Sequence, residues 1–282
     1  MKKIKLILIW LSMAVFLSGC SFRFVYNHLD WWTHWYLDDY VTLTEQQQQR
    51  FDDEFEQLHL WHRTTQLPAY VQQLKALKMA INDQINEQDI AANFVQFTEH
   101  WQNFLIATEP KLQPLVVSLS TEQTQQLLQA LQEAHQERLD DDEALSEQDW
   151  LEERTDQQKE QLKDWFGKLS PEQKSQVTLL GKGYQRSFEP RMLYRQRWTQ
   201  QFADLLNGNL PDHEFKLEFY RLFVDGRRLR DEKFNAMTNS NNQVFTNIFL
   251  YMVTTATNKQ RKRINKKIDK ILGDLAYLIN DD

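Results

Sequence analysis

Leu43-Thr44-Glu45-Gln46-Gln47-Gln48-Gln49-Arg50-Phe51-Asp52-Asp53-Glu54-Phe55 is the stretch that decides the fold. Thr44 is placed to cap a helix, and Gln47, three residues on, can reach back to the capping residue. Phe51, Phe55, Leu58, Trp61 and His62 then recur at intervals of three and four, while Asp52, Asp53, Glu54, Glu56 and Gln57 fill the other faces. That spacing is an amphipathic helix with one face turned inward. The same starting device returns in Leu119-Ser120-Thr121-Glu122-Gln123, Leu145-Ser146-Glu147-Gln148-Asp149 and Leu169-Ser170-Pro171-Glu172-Gln173. The starts are unevenly spaced, so shared capping accounts for them without a solenoid period.

Working outward, the helical texture continues. Leu67-Pro68 marks a boundary, followed by Tyr70, Val71, Leu74, Leu77 and Ile81. A helix from about Glu87 to Ala107 presents Ile90, Phe94, Phe97, Trp101, Phe104 and Leu105 until Pro110 and Pro114 interrupt it. Helices are expected over Tyr184 to Leu206 and over Asp212 to Val224, the second ending near Asp225-Gly226. A polar Asn239-Ser240-Asn241-Asn242 turn leads to Val244–Thr255, and the last helix runs from Asn258 to Ile279. With only seven Gly and six Pro in 282 residues, the chain reads as an all-α bundle of about nine to eleven helices with short loops. Residues 20–282 form a single helical domain, with a sub-division allowed near 140–146, where Asp140-Asp141-Asp142-Glu143 reads as a solvated acidic loop.

The chain begins differently. Lys2, Lys3 and Lys5 precede an apolar run from Ile4 to Phe16, and Leu17-Ser18-Gly19-Cys20 closes it with small residues. The run is short for a bilayer span, which needs about 20 apolar residues, and fits a cleaved secretory signal over 1–19. Leu-Ser-Gly-Cys resembles the lipobox of bacterial lipoproteins. That resemblance implies cleavage before Cys20, diacylation of its thiol and acylation of the new amine, palmitate being the kind of chain carried. Each buried CH₂ contributes about 0.8 kcal/mol, so two or three chains hold a protein on a membrane where one does so marginally. Ser21, not Asp, after the cysteine implies by resemblance to lipoprotein sorting an outer-membrane, periplasm-facing location, the inner membrane being the alternative. Cys20 is the only cysteine, so the mature chain has no disulfide.

Two further surfaces stand out. Phe22 to Tyr36 is dense in aromatics, and positions 24, 28, 31, 32, 35 and 36 share a helical spacing. Core packing is the expectation for this segment; a place at the wet edge of a bilayer, through Trp31, Trp32, Trp35 and Tyr36, is the alternative. The last helix starts with Lys259, Arg261, Lys262, Arg263, Lys266 and Lys267, and carries an apolar stripe of Ile264, Ile268, Ile271, Leu272, Leu275 and Leu278. Docking of this helix on its own domain is expected, and contact with an anionic membrane is the alternative.

The net charge is −7, and −10 without the three leader lysines. Residues 20–180 carry 12 Lys+Arg against 28 Asp+Glu, whereas residues 181–282 carry 18 against 12. The halves face each other or differ in their solvated faces; a basic surface for anionic envelope material is the sharper reading. An acidic exported chain makes nucleic acid an unsuitable partner.

No nucleophile elbow, phosphate-binding glycine loop or His-Glu-x-x-His is present, so no catalytic residue and no cofactor is assigned. The best metal candidate is Glu56 with His59 and His62, since carboxylate and imidazole three residues apart can share a helical face. No second Glu-x-x-His completes a di-metal set, and packed or capping histidines explain the pattern. His28, His34, His100, His135 and His213 show no ligand spacing.

Leu29-Asp30-Trp31-Trp32, Trp35-Tyr36-Leu37-Asp38-Asp39-Tyr40, Leu43-Thr44 and Leu60-Trp61-His62-Arg63 resemble an uncharacterised family of Gram-negative lipoproteins. The likeness extends over most of the mature chain and implies location and fold, with no activity to carry over. A second resemblance, to small periplasmic helical chaperones with Leu-Thr-x-x-Gln motifs, is carried in part by Leu43-Thr44-Glu45-Gln46, the glutamine falling at Gln47. The expected function is that of a non-enzymatic envelope lipoprotein binding a protein or anionic envelope component. A membrane-tethered chaperone or stress-response factor is the alternative, and a metal-dependent enzyme the third.

Overall fold

The computed structural model describes residues 19–142, 146–208 and 210–280. In chain order the elements are α1 (Gly19–Asn27), α2 (Leu29–Leu37), α3 (Glu45–Trp61), a π-turn (His62–Gln66), α4 (Leu67–Asn82), α5 (Glu87–Val117), α6 (Thr121–Asp142) and α7 (Glu147–Phe166). They continue with α8 (Pro171–Gly181), α9 (Phe188–Asn207), α10 (Asp212–Phe223), a 3-10 turn (Gly226–Leu229), α11 (Glu232–Thr254) and α12 (Asn258–Asn280). No strand occurs among the described residues, as an all-α bundle requires. Residues 1–18, all but the last of the stretch expected to be a leader, the side chain of Cys20, and Glu143 of the acidic run lie outside the described residues.

The capping device works as the sequence indicates. The Thr44 hydroxyl accepts from the Gln47 amide N–H, and the Gln47 side-chain oxygen accepts from Thr44 N–H. Ser120 with Gln123 and Ser170 with Gln173 repeat this exchange, while Ser146 caps α7 by accepting from Asp149 N–H. A further box, Thr257 with Gln260, starts α12. The glutamines do more than cap. Gln47 and Gln123 donate to each other at 3.1 and 2.7 Å, and Gln173 and Gln260 at 3.2 and 2.9 Å. The first turns of α3 and α6, and of α8 and α12, are thereby clasped in pairs.

Both halves of the chain share the main core. Ile81, Ile90 and Leu162 pack in one cluster with Ile248, Ile264 and Ile268, and full burial of each such side chain contributes about 1.5–3 kcal/mol. A second cluster joins Val116 of α5 to Phe202 and Leu205 of α9 and to Phe219 and Leu222 of α10. A third seats Tyr26 of α1 against Leu67, Leu275 and Leu278. Gly167 ends α7 at φ 81°, the one positive φ among the described residues, where a Cβ would come within 3.2 Å of Arg263 Cδ.

Four expectations need correction. Pro110 and Pro114 do not end α5, which runs through both to Val117. Each proline costs the helix an amide donor, but the segment is held from outside: Lys111 Nζ donates to Glu54 and Gln57 on α3 at 2.9 Å each. Leu67-Pro68 does start a helix, with Pro68 in its first turn and the π-turn joining α3 to α4 without a loop, but Asp140–Asp142 form no loop, being the last residues of α6. Asn239–Asn242 is not a turn but part of α11. The Asn241 amide instead accepts from Gln185 N–H at 2.8 Å and donates to Gln185 O at 2.9 Å, so its polarity holds the α8–α9 connection.

The fourth correction concerns the aromatic segment. The chain breaks at His28 (φ −124°, ψ 28°), so the stripe read over one helix is divided between α1 and α2. No residue of α2 is buried; Trp31 and Tyr36 are 60 and 56% exposed, and Phe24 is 60% exposed. Among the rings of residues 22–36, Tyr26 alone enters the core. Among the described residues no helix is long and apolar enough to cross a membrane.

Candidate functional site

The α4 stripe Leu74, Leu77 and Ile81 and the α5 stripe Ile90, Phe94, Phe97 and Trp101 do not close on each other. They form two walls of a cavity of about 900 Å³, completed by Leu162 and Trp165 of α7, Phe245 and Phe249 of α11, and Ile268 and Ile271 of α12. From Tyr70 to Ile81 the α4 wall spans eleven residues, about 16 Å at the α-helical rise. At the Ile81 end the lining merges with the main core. Along α5 the stripe opens to solvent, Phe97 being 66% and Trp101 51% exposed. The volume falls within the range of ligand sites, about 300–1,000 Å³.

Polar groups enter this lining as one connected set. His62, first residue of the π-turn, has Nδ1 2.9 Å from the Tyr26 hydroxyl and Nε2 3.2 Å from the Tyr70 hydroxyl. The Tyr70 and His100 rings meet at 4.7 Å, and His100 Nε2 donates to Gln73 Oε1 at 2.9 Å. Gln73 in turn donates to the Asn93 backbone oxygen at 3.1 Å. Burial lowers His62 to about 4, with His59 adding in the same direction, and raises Tyr26 to about 12 despite Arg63. Burial also raises Tyr70. The set is therefore neutral at neutral pH, its donors and acceptors spent on each other, and suits an uncharged guest.

Glu56 is exposed, and no cluster of three or more His, Cys, Asp or Glu that could hold a metal occurs among the described residues. His59 stacks between Tyr26 and Phe55, at 4.6 and 5.9 Å, with its Nε2 buried and unbonded. In α12, Arg261 donates to the Ile81 and Val253 carbonyls at 3.0 Å, Arg263 to the Asp164 carbonyl at 3.1 Å, and Lys267 pairs with the Asp164 carboxylate. These three cations cap the C-terminal ends of α4, α7 and α11, where carbonyls collect negative potential. Lys259, Lys262 and Lys266 remain exposed. Trp32 meets Trp31 and Trp35 edge to face, at 5.1 and 6.1 Å.

The sequence reading missed Gln73, Asn93 and His100 as parts of a site. His100 follows Asn93 by seven residues, two turns of α5, a signal visible only once α4 is known to lie alongside.

A family model described as a family of unknown function (DUF6279) matches residues 39–235. The chain belongs to DUF6279. The part that matches DUF6279 takes in α3 to α10, and so the α4, α5 and α7 walls of the cavity, while α1, α12 and nearly all of α11 lie beyond it. No curated protein and no solved structure matches the chain.

Proposed function

We propose that this member of DUF6279 is a non-enzymatic envelope lipoprotein, tethered through acyl chains on Cys20 to the periplasmic face of a bacterial outer membrane, that binds a ligand with a hydrocarbon portion. The cavity between α4, α5, α7, α11 and α12 carries this reading, since its size and apolar lining suit hydrocarbon. Each CH₂ moved from water into it would gain about 0.8 kcal/mol. The leader pattern Leu17-Ser18-Gly19-Cys20 supports the tether. Docking of α1 adds to it: Arg23 Nε donates to the buried Asp274 carboxylate at 2.7 Å, three residues, about 4.5 Å of helix, from Cys20. A body so attached sits close to its membrane.

Trp101 and Trp165 line the cavity and provide the test. Brominated hydrocarbon chains quench tryptophan on contact, so they should quench the full chain, and replacing both residues by Phe should remove most of that quenching. Equal quenching with and without the two tryptophans would refute the cavity as the binding site.

The tethered-chaperone alternative draws on one observation, the exposed Phe97 and Trp101 at the cavity rim, which an extended apolar client segment could cover. Its sequence motif gives less support, because Gln47 is buried in a clasp with Gln123. Failure to suppress aggregation of several unfolded envelope clients would remove it.

A further inference from the structure

A second cleft, of about 820 Å³, adjoins the apolar cavity, and the two share Phe94 and Phe245, whose rings meet edge to face at 5.8 Å. Its chemistry is opposite. Arg154 of α7, Arg191 and Arg195 of α9, and Arg230 before α11 line it, and no Asp or Glu does. Among the described residues none of the four pairs with a carboxylate. Arg154 lies 4.7 Å over the Tyr184 ring, Arg230 lies 4.9 Å over Phe234, and Arg191 donates to Ser187 Oγ at 3.3 Å. The Nε atoms of Arg195 and Arg230 are buried without any hydrogen-bond partner. Burial, and next Arg138, pull the Arg195 pKa below its ordinary value.

Stacking gives the Arg154 and Arg230 guanidinium faces a partner, but the buried Nε–H groups of Arg195 and Arg230 stay unmet. Four cations gathered without a counter-charge cost the fold stability, and the cost falls when a multiply charged anion enters. Guanidinium forks match phosphate oxygens two at a time, and one carboxylate would leave most of them unmet. A soluble phosphate would leave the adjoining apolar cavity empty, and an uncharged hydrocarbon would leave the arginines as they are.

We infer that the two spaces form one site for a phosphate-bearing lipid, its chain in the apolar cavity and its phosphate among Arg154, Arg191, Arg195 and Arg230. The inference rests on the ligand-binding reading above and adds the headgroup.

The acylated full chain is reconstituted in vesicles of a phosphate-free galactolipid, digalactosyldiacylglycerol, with a trace of phosphatidic acid or diacylglycerol carrying the same photoactivatable chain. Both probes should label peptides of α4, α5 and α11, phosphatidic acid about tenfold more, the size expected for hydrogen bonds to a charged group. Arg195→Gln combined with Arg230→Gln should bring phosphatidic acid down to the diacylglycerol level and leave diacylglycerol labelling unchanged, which also reports an intact fold. Should that variant not fold, Arg191→Glu at an exposed position should lower phosphatidic acid labelling alone. Equal labelling by the two probes in the native chain, or phosphatidic acid labelling indifferent to both variants, overturns the headgroup site and leaves the cavity standing. No cavity labelling by either probe overturns the cavity reading itself. Glycerol phosphate competing as well as short-chain phosphatidic acid would make this a site for a soluble phosphate and overturn the lipid.

Discussion

Gln173 and Gln260 face each other across the first turns of α8 and α12, each donating its side-chain amide to the other's oxygen, at 3.2 and 2.9 Å. Both are buried, and Gln260 also donates to the Lys168 carbonyl at 3.2 Å and accepts from Thr257 N–H at 2.9 Å. Gln260→Ala therefore strands several buried groups at once. It should cost about 1–3 kcal/mol, most of it the desolvation of the abandoned partners. For a chain of this size that lowers Tm by about 2–4 °C per kcal/mol. Thermal unfolding by circular dichroism checks it, and an unchanged Tm would make the clasp dispensable.

The Arg23–Asp274 pair binds α1 to α12, with the Arg23 guanidinium also 4.2 Å over the Tyr277 ring. Arg23→Ala leaves a carboxylate that is 6% exposed without its partner. The expected loss is about 1–3 kcal/mol, and hydrogen exchange should speed up in residues 22–27 while α5 keeps its protection. Uniform exchange across both helices would place the anchor of α1 elsewhere.

His62 makes stability depend on pH in a stated direction. Its folded pKa of about 4 lies below the ordinary 6.5, so between these values the unfolded chain holds the proton that the folded chain lacks. Stability is full above pH 6.5 and falls as pH drops toward 4, by at most about 1.4 kcal/mol per unit, less where water reaches the ring. His59 and His100, also lowered by burial, act in the same sense. Denaturant unfolding from pH 7 to 4 should show this slope, and His62→Gln should flatten it. A slope untouched by the substitution would assign the effect to other groups.

Cys20→Ala should abolish metabolic labelling by palmitate and leave the leader uncleaved before residue 20. Labelling that survives the substitution would refute the acyl tether.

Much of the fold was legible. Thr44, Ser120, Ser146 and Ser170 start helices because hydroxyl-to-amide capping is local chemistry, and the stripes on α4, α5 and α12 sit where their spacing puts them. What misled was local chemistry overruled from a distance. Pro110 and Pro114 stay helical against α3, Asn241 spends its amide on Gln185, and the aromatic run is split by a single residue, His28. The site was less legible. The apolar residues were read as core, because spacing shows which face is greasy and not whether its neighbours close over it. Arg154, Arg191, Arg195 and Arg230 are scattered over 77 positions and meet only through the packing of α7, α9 and α11.

The most direct measurement is native mass spectrometry of the acylated full chain released gently from its membrane, compared with Leu77→Trp combined with Leu74→Trp, which sets two indoles across the α4 wall of the cavity. The native chain should carry one additional non-covalent lipid-sized mass, and the variant should lose it while keeping its covalent acyl chains. A native chain that flies without any adduct, or a variant that retains the adduct in full, would contradict the account.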